Sequence, residues 1–230
     1  MTVMPNDLIG KHIYLTGEFD RSTAEVLLGL ARPGDTLLDI GANIGYVSCC
    51  FLKNIPRSSV IAVDPQPEIT SLLRQNLFQF GYGRSTIFEV GLSDKDHSGW
   101  QEICSANRGA SKIVSDQNAS SVEIKIWSAK TFFRELGDRN IDLVKIDVEG
   151  HEEAVLRACK HELQRLRPRA IVFEDHTRSA APEGVIGKIL TEIGYGVSSI
   201  QKRLTRLDFI PVKTAADCNS VDYLAQPATQ

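Results

Sequence analysis

Residues 36–45 read Thr-Leu-Leu-Asp-Ile-Gly-Ala-Asn-Ile-Gly, and this stretch decides the fold. A short apolar run ends at Asp39, and Gly41 and Gly45 follow with Asn43 between them. This order predicts a strand, a tight turn and the start of a helix. Glycines let a ligand approach the backbone where a Cβ atom would clash, and a helix start offers unpaired N–H groups and a positive dipole end.

A second acid follows at the spacing that a nucleoside site requires. The apolar run 60–63 ends in Asp64, and an acid at the tip of the second strand holds ribose in doubly wound folds. The glycine pattern is D-x-G-x-N-x-G, and Asp39 at its mouth disfavours a pyrophosphate. S-adenosylmethionine (SAM), with its sulfonium, amino group and ribose, fits both acids. The alternative is a tight turn that binds nothing.

Length and composition indicate one folded domain, residues 1–230, of the α/β class. Hydrophobic residues make up 42% and charged residues 24% of the 230 positions. The formal net charge is −3, so no basic excess points to nucleic acid.

A cytoplasmic location without membrane attachment is expected from the charge and cysteine patterns. The uncharged run 40–52 is too short to span a bilayer. Asp7, Lys11 and Glu18 interrupt the N-terminal region, so we expect no signal peptide. The five cysteines include no C-x-x-C pair, which favours reduced thiols.

Strand and helix patterns alternate along the chain and predict a doubly wound, Rossmann-like, mostly parallel sheet with helices on both faces. The last two strands are joined by a turn-rich stretch, so we expect them to pair as an antiparallel hairpin. Residues 1–33 are predicted to form an N-terminal cap region, and residues 94–121 an inserted loop or hairpin with a strand at 122–127. Residues 1–20 and 94–121 are predicted to cover the acceptor pocket, because lids come from such polar segments. The predicted strands are 36–38, 60–63, 86–90, 141–146, 170–173, 195–200 and 221–224. The predicted helices are 22–31, the helix that follows the glycine turn and ends near residue 54, and 68–80, 130–136, 152–166 and 182–193.

A second group of charged residues lies where the fourth predicted strand ends. Lys145, Asp147 and Glu149 alternate and therefore share one face of an extended chain. Ligands of open α/β sheets bind at this edge, and burying charges without a task is costly. The alternative is a salt-bridged cluster that only caps the sheet.

Two histidines and another acid lie close to this edge in the predicted topology. His151 is read either as a solvated helix-start residue or as part of the cleft. Glu174 and His176 follow the fifth strand and could point into the same cleft, although a structural role for the histidine is the alternative.

At this point the sequence resembles the FkbM family of SAM-dependent methyltransferases. The resemblance covers about residues 17–175 and departs from the family at Asp64, where Glu is usual, and at Gly91, where Ala is usual. It rests on LDIGANIG (38–45), DPQP (64–67), GLSD (91–94), LVKIDVEGHE (143–152) and IVFE (171–174).

The resemblance implies a seven-stranded class I methyltransferase sheet and methyl transfer, usually to a hydroxyl oxygen of a small molecule, sugar or natural product. It places Leu92 and Ser93 beside the adenine, Asp64 at the ribose, and Asp147 and Glu149 in the methyl-transfer cleft. The implied SAM-binding set is Asp39, Gly41, Ala42, Asn43, Gly45, Asp64, Pro65, Leu92 and Ser93.

The chemistry of the cleft agrees with this role. A hydroxyl that attacks a sulfonium methyl must lose its proton, and a carboxylate within hydrogen-bond reach can take it. We expect Asp147 or Glu149 to be the base, with Lys145 keeping the carboxylate ionised. No D-P-P-Y-like run follows the fourth strand, which argues against amino-methylation of nucleic-acid bases.

Three other functions remain open at this level. One is a nicotinamide-dependent oxidoreductase. Asp39 and Asn43 argue against it, because they interrupt the phosphate-binding glycine pattern that such an enzyme needs. Another is a non-catalytic module that binds SAM or a nucleoside. The third is a metal-assisted O-methyltransferase that holds magnesium through Asp147, Glu149 and Glu174 or His176.

Overall fold

The computed structural model describes residues 1–4, 6–104, 111–114, 117–203 and 206–228. A short 3₁₀ helix covers Ala215–Asp217. The helices are α1 (Leu8–Thr16), α2 (Arg21–Leu30), α3 (Tyr46–Asn54), α4 (Pro67–Gly81), α5 (Ala129–Leu136), α6 (Glu152–Leu166) and α7 (Val185–Glu192). The strands are β1 (Thr36–Ile40), β2 (Ser59–Val63), β3 (Ser85–Phe88), β4 (Gly91–Ser93), β5 (His97–Glu102), β6 (Lys112–Val114), β7 (Ser121–Ser128), β8 (Leu143–Ile146), β9 (Ala170–Glu174), β10 (Tyr195–Lys202), β11 (Leu207–Pro211) and β12 (Asp222–Pro227).

The main sheet has the strand order β11-β10-β12-β9-β8-β1-β2-β3. Strands β9, β8, β1, β2 and β3 are parallel to one another, while β12, β10 and β11 continue the sheet in antiparallel pairs. The chain runs outward from β1 to β3 and then returns to β8 on the other side of β1. Ligands of open α/β sheets bind in the crevice at such a reversal.

Helices cover both faces of this sheet, which explains why its central strands are apolar throughout. Consecutive residues of a strand point to opposite faces. Leu37 therefore packs in a cluster with α2, α3 and α4, whereas Leu38 packs in a cluster with α5, α6 and α7. The predicted doubly wound class is confirmed.

The predicted number of seven strands is wrong, because the main sheet has eight. The additional strand is β11, which lies in the stretch that the sequence pattern marks as turn-rich. It pairs antiparallel with β10 at the sheet edge, and its Phe209 and Ile210 side chains are exposed. An edge strand of this kind carries no buried alternation that would reveal it. The predicted antiparallel pairing of the last two strands is confirmed between β10 and β12.

The N-terminal region contains a helix that the sequence pattern did not predict. The carboxylate of Asp7 caps α1 by accepting hydrogen bonds from the backbone N–H groups of Ile9 and Gly10, at 3.0 and 3.2 Å. Ile9 packs against Ile44 and Ile69. The helix was missed because most of its residues are exposed, so it shows only a short apolar face.

The segment after β3 builds a second, smaller sheet with the order β4-β7-β5-β6. Strand β7 confirms the strand predicted at 122–127, and β5 and β6 lie within the predicted insertion 94–121. Residues 105–110 and 115–116 of that insertion lie outside the described residues. All five cysteines have free thiols.

Candidate active site

A cavity of about 360 Å³ opens at the carboxyl ends of β1, β2 and β8. This is the sheet edge at which the predicted site residues were expected to meet. Most of them line the cavity, namely Gly41, Ala42, Asn43, Asp64, Pro65, Leu92, Lys145, Asp147 and Glu149. The other predicted residues, Asp39, Gly45 and Ser93, are buried and do not line the cavity.

The turn after β1 approaches the end of β8 very closely at Gly41. This glycine has φ +79°, and a Cβ atom built on it would lie 1.7 Å from the carbonyl oxygen of Asp147. The backbone N–H of Asp147 in turn donates to the carbonyl of Ile40 at 3.0 Å. Glycine is therefore required here to bring the two halves of the site together.

Gly45 has a different role. Its φ is +85°, and a Cβ atom would lie 2.6 Å from Cδ1 of Leu73 in α4. The residue stands at the start of α3, so its missing side chain lets α3 and α4 pack closely. The requirement for glycine at this position comes from helix packing.

Asp39 and Lys145 form a buried charged pair beneath the turn. Oδ2 of Asp39 accepts a hydrogen bond from Oγ of Ser48 at 2.6 Å, and Oδ1 lies 3.4 Å from Nζ of Lys145. The same ammonium lies 3.1 Å from Oδ2 of Asp147 and donates to the carbonyl of Gly41 at 3.1 Å. Burial alone lowers the pKa of Lys145, but the Asp147 and Asp39 carboxylates outweigh it and raise that pKa, so the lysine is charged.

Asp64 at the end of β2 connects two turns of the cavity wall. Its Oδ2 accepts from the backbone N–H of Asn43, and its Oδ1 accepts from that of Gln66, both at 3.0 Å. Burial raises the pKa of this carboxyl to about 6, although the two backbone hydrogen bonds act in the opposite direction. Each carboxylate oxygen retains a lone pair that can accept a further hydrogen bond.

The turn after β8 exposes Glu149 to the cavity. Glu149 and Gly150 have φ of +52° and +92°. The carboxylate of Glu152 holds this turn by accepting from the backbone N–H groups of Val148 at 3.0 Å and Gly150 at 3.1 Å. Sequence reasoning missed this role, although a Glu in the first turn of a helix is a known signal of a carboxylate that binds nearby backbone N–H groups.

His151 also lines the cavity, so it is not simply a solvated residue at the start of α6. Burial lowers the pKa of its imidazole. The ring is therefore neutral near pH 7.

Additional acids from distant parts of the chain converge on the end of the cavity next to Asp147. Asp20, Glu174 and Asp222 all line it. Burial raises the pKa of Asp20 to about 6. Burial, together with the nearby Asp147 and Asp222 carboxylates, raises the pKa of Glu174 to about 8.

Sequence reasoning identified Glu174 but missed the other residues of this acidic end. Lys202 Nζ lies 2.9 Å from Oδ2 of Asp222, so β10 and β12 bring a second ion pair to the rim. His176 Nε2 lies 3.3 Å from Glu174 Oε2, and His176 is not part of the cavity lining. Asp20, Lys202 and Asp222 had no local motif, because only the folded chain brings them together.

The described residues contain neither a metal-binding cluster nor a membrane-spanning helix. No group of three or more His, Cys, Asp and Glu side chains in this part of the chain is arranged to hold a metal ion. None of the described helices combines the length and the apolar character needed to cross a membrane.

The fold is similar to that of solved methyltransferases. A SAM-dependent O-methyltransferase of Thermotoga maritima has a TM-score of 0.50 and 15% sequence identity, over 95% of this chain and 71% of that chain. This similarity concerns the fold alone. The doubly wound sheet and the cavity at its reversal are therefore those of a methyltransferase fold.

The sequence assigns the chain within this class. The profile of the methyltransferase FkbM domain matches residues 39–207, and the chain belongs to this family. The assignment confirms the resemblance and favours methyl transfer over the hydride transfer of the oxidoreductase alternative.

Two curated relatives carry more specific names. The chain is 30% identical over 180 residues to the hexuronic acid methyltransferase AglP of Haloferax volcanii, covering 77% of this chain and 70% of the relative. It is 25% identical over 171 residues to the 2-O-methyltransferase NoeI of Sinorhizobium fredii, covering 67% of this chain and 68% of the relative. Matches to curated relatives cover between 10% and 70% of the relatives' own lengths.

Proposed function

We propose that this protein transfers the methyl group of SAM to a hydroxyl oxygen of a small molecule, with a sugar as the favoured acceptor class. The observation that carries the proposal is one cavity with two chemically different ends. Asp64 and the Gly41 turn form one end, and the carboxylates of Asp147, Glu149 and Glu174 line the other.

The first end fits the adenosyl part of SAM. Asp64 is held rigidly by two backbone N–H groups and can accept hydrogen bonds from the ribose hydroxyls. Ala42 and Asn43 border the space for the methionine part, and Pro65 and Leu92 border the space for the base. The cavity volume is within the range usual for small-molecule sites.

The residues behind the wall support this end. Asp39 fixes Lys145, and Gly45 sets the packing of α3 against α4. Ser93 lies next to Leu92 in β4, and its Oγ donates to Oδ1 of Asp94 at 3.3 Å. We assign these three residues to shaping the pocket.

The acidic end supplies the base. When bound, SAM supplies an electrophilic methyl group on a sulfonium. A carboxylate of Asp147, Glu149 or Glu174 takes the proton of the acceptor hydroxyl while the hydroxyl oxygen forms its bond to the methyl carbon. Lys145 Nζ lies 3.1 Å from Oδ2 of Asp147 and forms an ion pair with that carboxylate. Burial raises the pKa of Glu174 to about 8, so its ionised form is a stronger base than an ordinary carboxylate.

The charges at this end favour a neutral or cationic acceptor. The two lysines that line the cavity are already paired, Lys145 with Asp39 and Asp147, and Lys202 with Asp222. An acceptor that carries a carboxylate would face several carboxylates, and like charges at close range cost free energy. The name of NoeI, a 2-O-methyltransferase, agrees with oxygen as the methylated atom.

Calorimetry and turnover test this function together. Titrations should show binding of SAM and of S-adenosylhomocysteine, and much weaker binding of NAD. Turnover should then be measured with methyl hexopyranosides, hexosamines and hexuronates, with and without EDTA. Methyl ethers formed from the neutral sugars or hexosamines support the proposal.

The other outcomes identify the alternatives. Tight binding of NAD instead of SAM would indicate an oxidoreductase. Binding of SAM without transfer to any acceptor class would indicate a binding module. Loss of transfer in EDTA, restored by magnesium, would indicate metal-assisted chemistry.

A further inference from the structure

Gln101 of β5 lines the cavity and carries a buried acceptor oxygen that has no donor among the described residues. The side chain is 6% exposed and lines the cavity. Its Nε2 donates to the carbonyl of Ser111 at 3.5 Å, which orients Oε1 as an acceptor. Among the described residues, none donates a hydrogen bond to Oε1. A buried amide oxygen left in this state costs free energy, so the site is complete only when a ligand supplies an N–H or O–H group.

The surroundings of Gln101 define the shape of that ligand. Val90 and Leu92, 3% and 2% exposed, also line the cavity and follow β3 in the chain. An apolar slot with one inward-facing acceptor suits a flat aromatic ring that carries an amino group. Hydroxylated sugars match it poorly, because they offer polar groups on all sides.

The position of the slot matches the geometry of the bound nucleoside. This step rests on the proposed function, in which Asp64 at the end of β2 holds the ribose. The glycine turn at the end of β1 lies on one side of Asp64 and takes the methionine part. The base must then extend to the other side, toward β3, where Val90, Leu92 and Gln101 line the cavity.

We propose that Oε1 of Gln101 accepts a hydrogen bond from the 6-amino group of adenine, so that the smaller sheet recognises the base of SAM. Gln101 is thus a specificity-determining residue of the cofactor pocket. It comes from the inserted segment and not from any motif of the main sheet.

Replacing the amino group tests this contact. Dissociation constants of S-adenosylhomocysteine and S-inosylhomocysteine should be measured by calorimetry for the wild type, Gln101→Met and Gln101→Leu. Inosine has an oxygen in place of the 6-amino group and would place two acceptors against each other. The wild type should prefer the adenosyl ligand by about tenfold to a hundredfold, as expected for one buried hydrogen bond.

The decisive quantity is the ratio of the dissociation constants of S-inosylhomocysteine and S-adenosylhomocysteine. It is measured within each variant, so partial unfolding of a variant affects both ligands equally. Met and Leu have no acceptor comparable to an amide oxygen. The preference for the adenosyl ligand should therefore fall to about twofold or less in both variants. Gln226→Met, on the exposed side of β12, is the control and should keep the wild-type ratio.

Two results would overturn the proposal. If the wild type binds both ligands equally, no residue of the protein recognises the 6-amino group. If Gln101→Met and Gln101→Leu still prefer the adenosyl ligand, another residue recognises the amino group. If the wild type binds neither ligand, the proposed function itself fails, which the first titration shows separately.

Discussion

Asp39 and Lys145 are direct partners in the register of β1 and β8, and their side chains meet beneath the glycine turn with Nζ 3.4 Å from Oδ1. The exposed fractions of the two side chains are 1% and 5%. The pair therefore joins the two strands at the place where the chain reverses direction across the sheet. The pair supports the cavity wall from behind. It also holds in place the Lys145 ammonium that lies next to Asp147.

Removing the ammonium should destabilise the protein strongly. Lys145→Met leaves the buried Asp39 carboxylate without its counter-ion, so the free energy of unfolding should fall by about 3–5 kcal/mol. Urea denaturation measures the change. Lys160→Met, which breaks an exposed pair with Glu192, is the control and should change stability little. Equal midpoints for the two variants would contradict a structural role of the pair.

The contact between Gly41 and β8 predicts a second loss of stability. In Gly41→Ala, the new methyl group meets the Asp147 carbonyl, and the residue keeps an unfavourable positive φ, so about 2–5 kcal/mol should be lost. Gly34→Ala is the matched control, because Gly34 has φ +91° and open space around its Cα. It should lose only about 1–2 kcal/mol. The same loss in both variants would show that the backbone conformation alone explains the effect.

Asp64 is predicted to act on the affinity for SAM. Asp64→Asn replaces one acceptor oxygen with an NH₂ group. This group would face a backbone N–H donor, and it cannot accept a hydrogen bond from a ribose hydroxyl. The dissociation constant of S-adenosylhomocysteine should rise by a factor that corresponds to about 1–3 kcal/mol. Asp35→Asn is the control, since Asp35 is similarly buried but precedes β1 at the opposite edge of the sheet. Unchanged affinity in Asp64→Asn would place the ribose elsewhere.

Glu174 is predicted to make the unliganded protein less stable as the pH rises. Its pKa is about 8 in the folded state, whereas the ordinary value is 4.5. At a pH between these two values, the folded protein keeps a proton on Glu174 that the unfolded chain has released. The free energy of unfolding therefore falls from pH 5 to pH 8. Glu174→Gln removes this contribution and should flatten the decline, as measured by denaturation at both pH values.

The exposed Glu123 provides the comparison for this pH effect. Glu123→Gln should leave the decline as steep as in the wild type. A decline of the same steepness in Glu174→Gln would show that other groups cause it.

The assignment of the base leads to a kinetic prediction. With an acceptor from the sugar panel, one of Asp147→Asn, Glu149→Gln and Glu174→Gln should lose about 10²–10⁴-fold in turnover. The affinity for S-adenosylhomocysteine should remain near the wild-type value in that variant. Glu153→Gln on the outer face of α6 controls for the loss of a surface charge. If all three cavity variants keep full turnover, water or a metal ion removes the proton.

Local sequence spacing was sufficient for most of the architecture. The alternation of apolar strands and amphipathic helices predicted β1 to β3, β8 to β10 and the helices from α2 onward, because periodicity reports which side of an element is buried. The turn at Gly41 and the acid at Asp64 were also predictable, since both follow directly from a strand end. The edge strand β11 and helix α1 were not, because exposed elements carry little periodic signal.

The sequence by itself determined the family, the order of the elements and the residues at each strand end. Only the tertiary structure decided which of those residues face the cavity. Asp39 is buried behind the wall, whereas its register partner Lys145 lines the cavity. Asp20 and Asp222 come to the acidic end from opposite ends of the chain. Gln101 lines the cavity because the smaller sheet packs beside it. Such convergence depends on sheet order and long-range packing, which no local pattern of residues encodes.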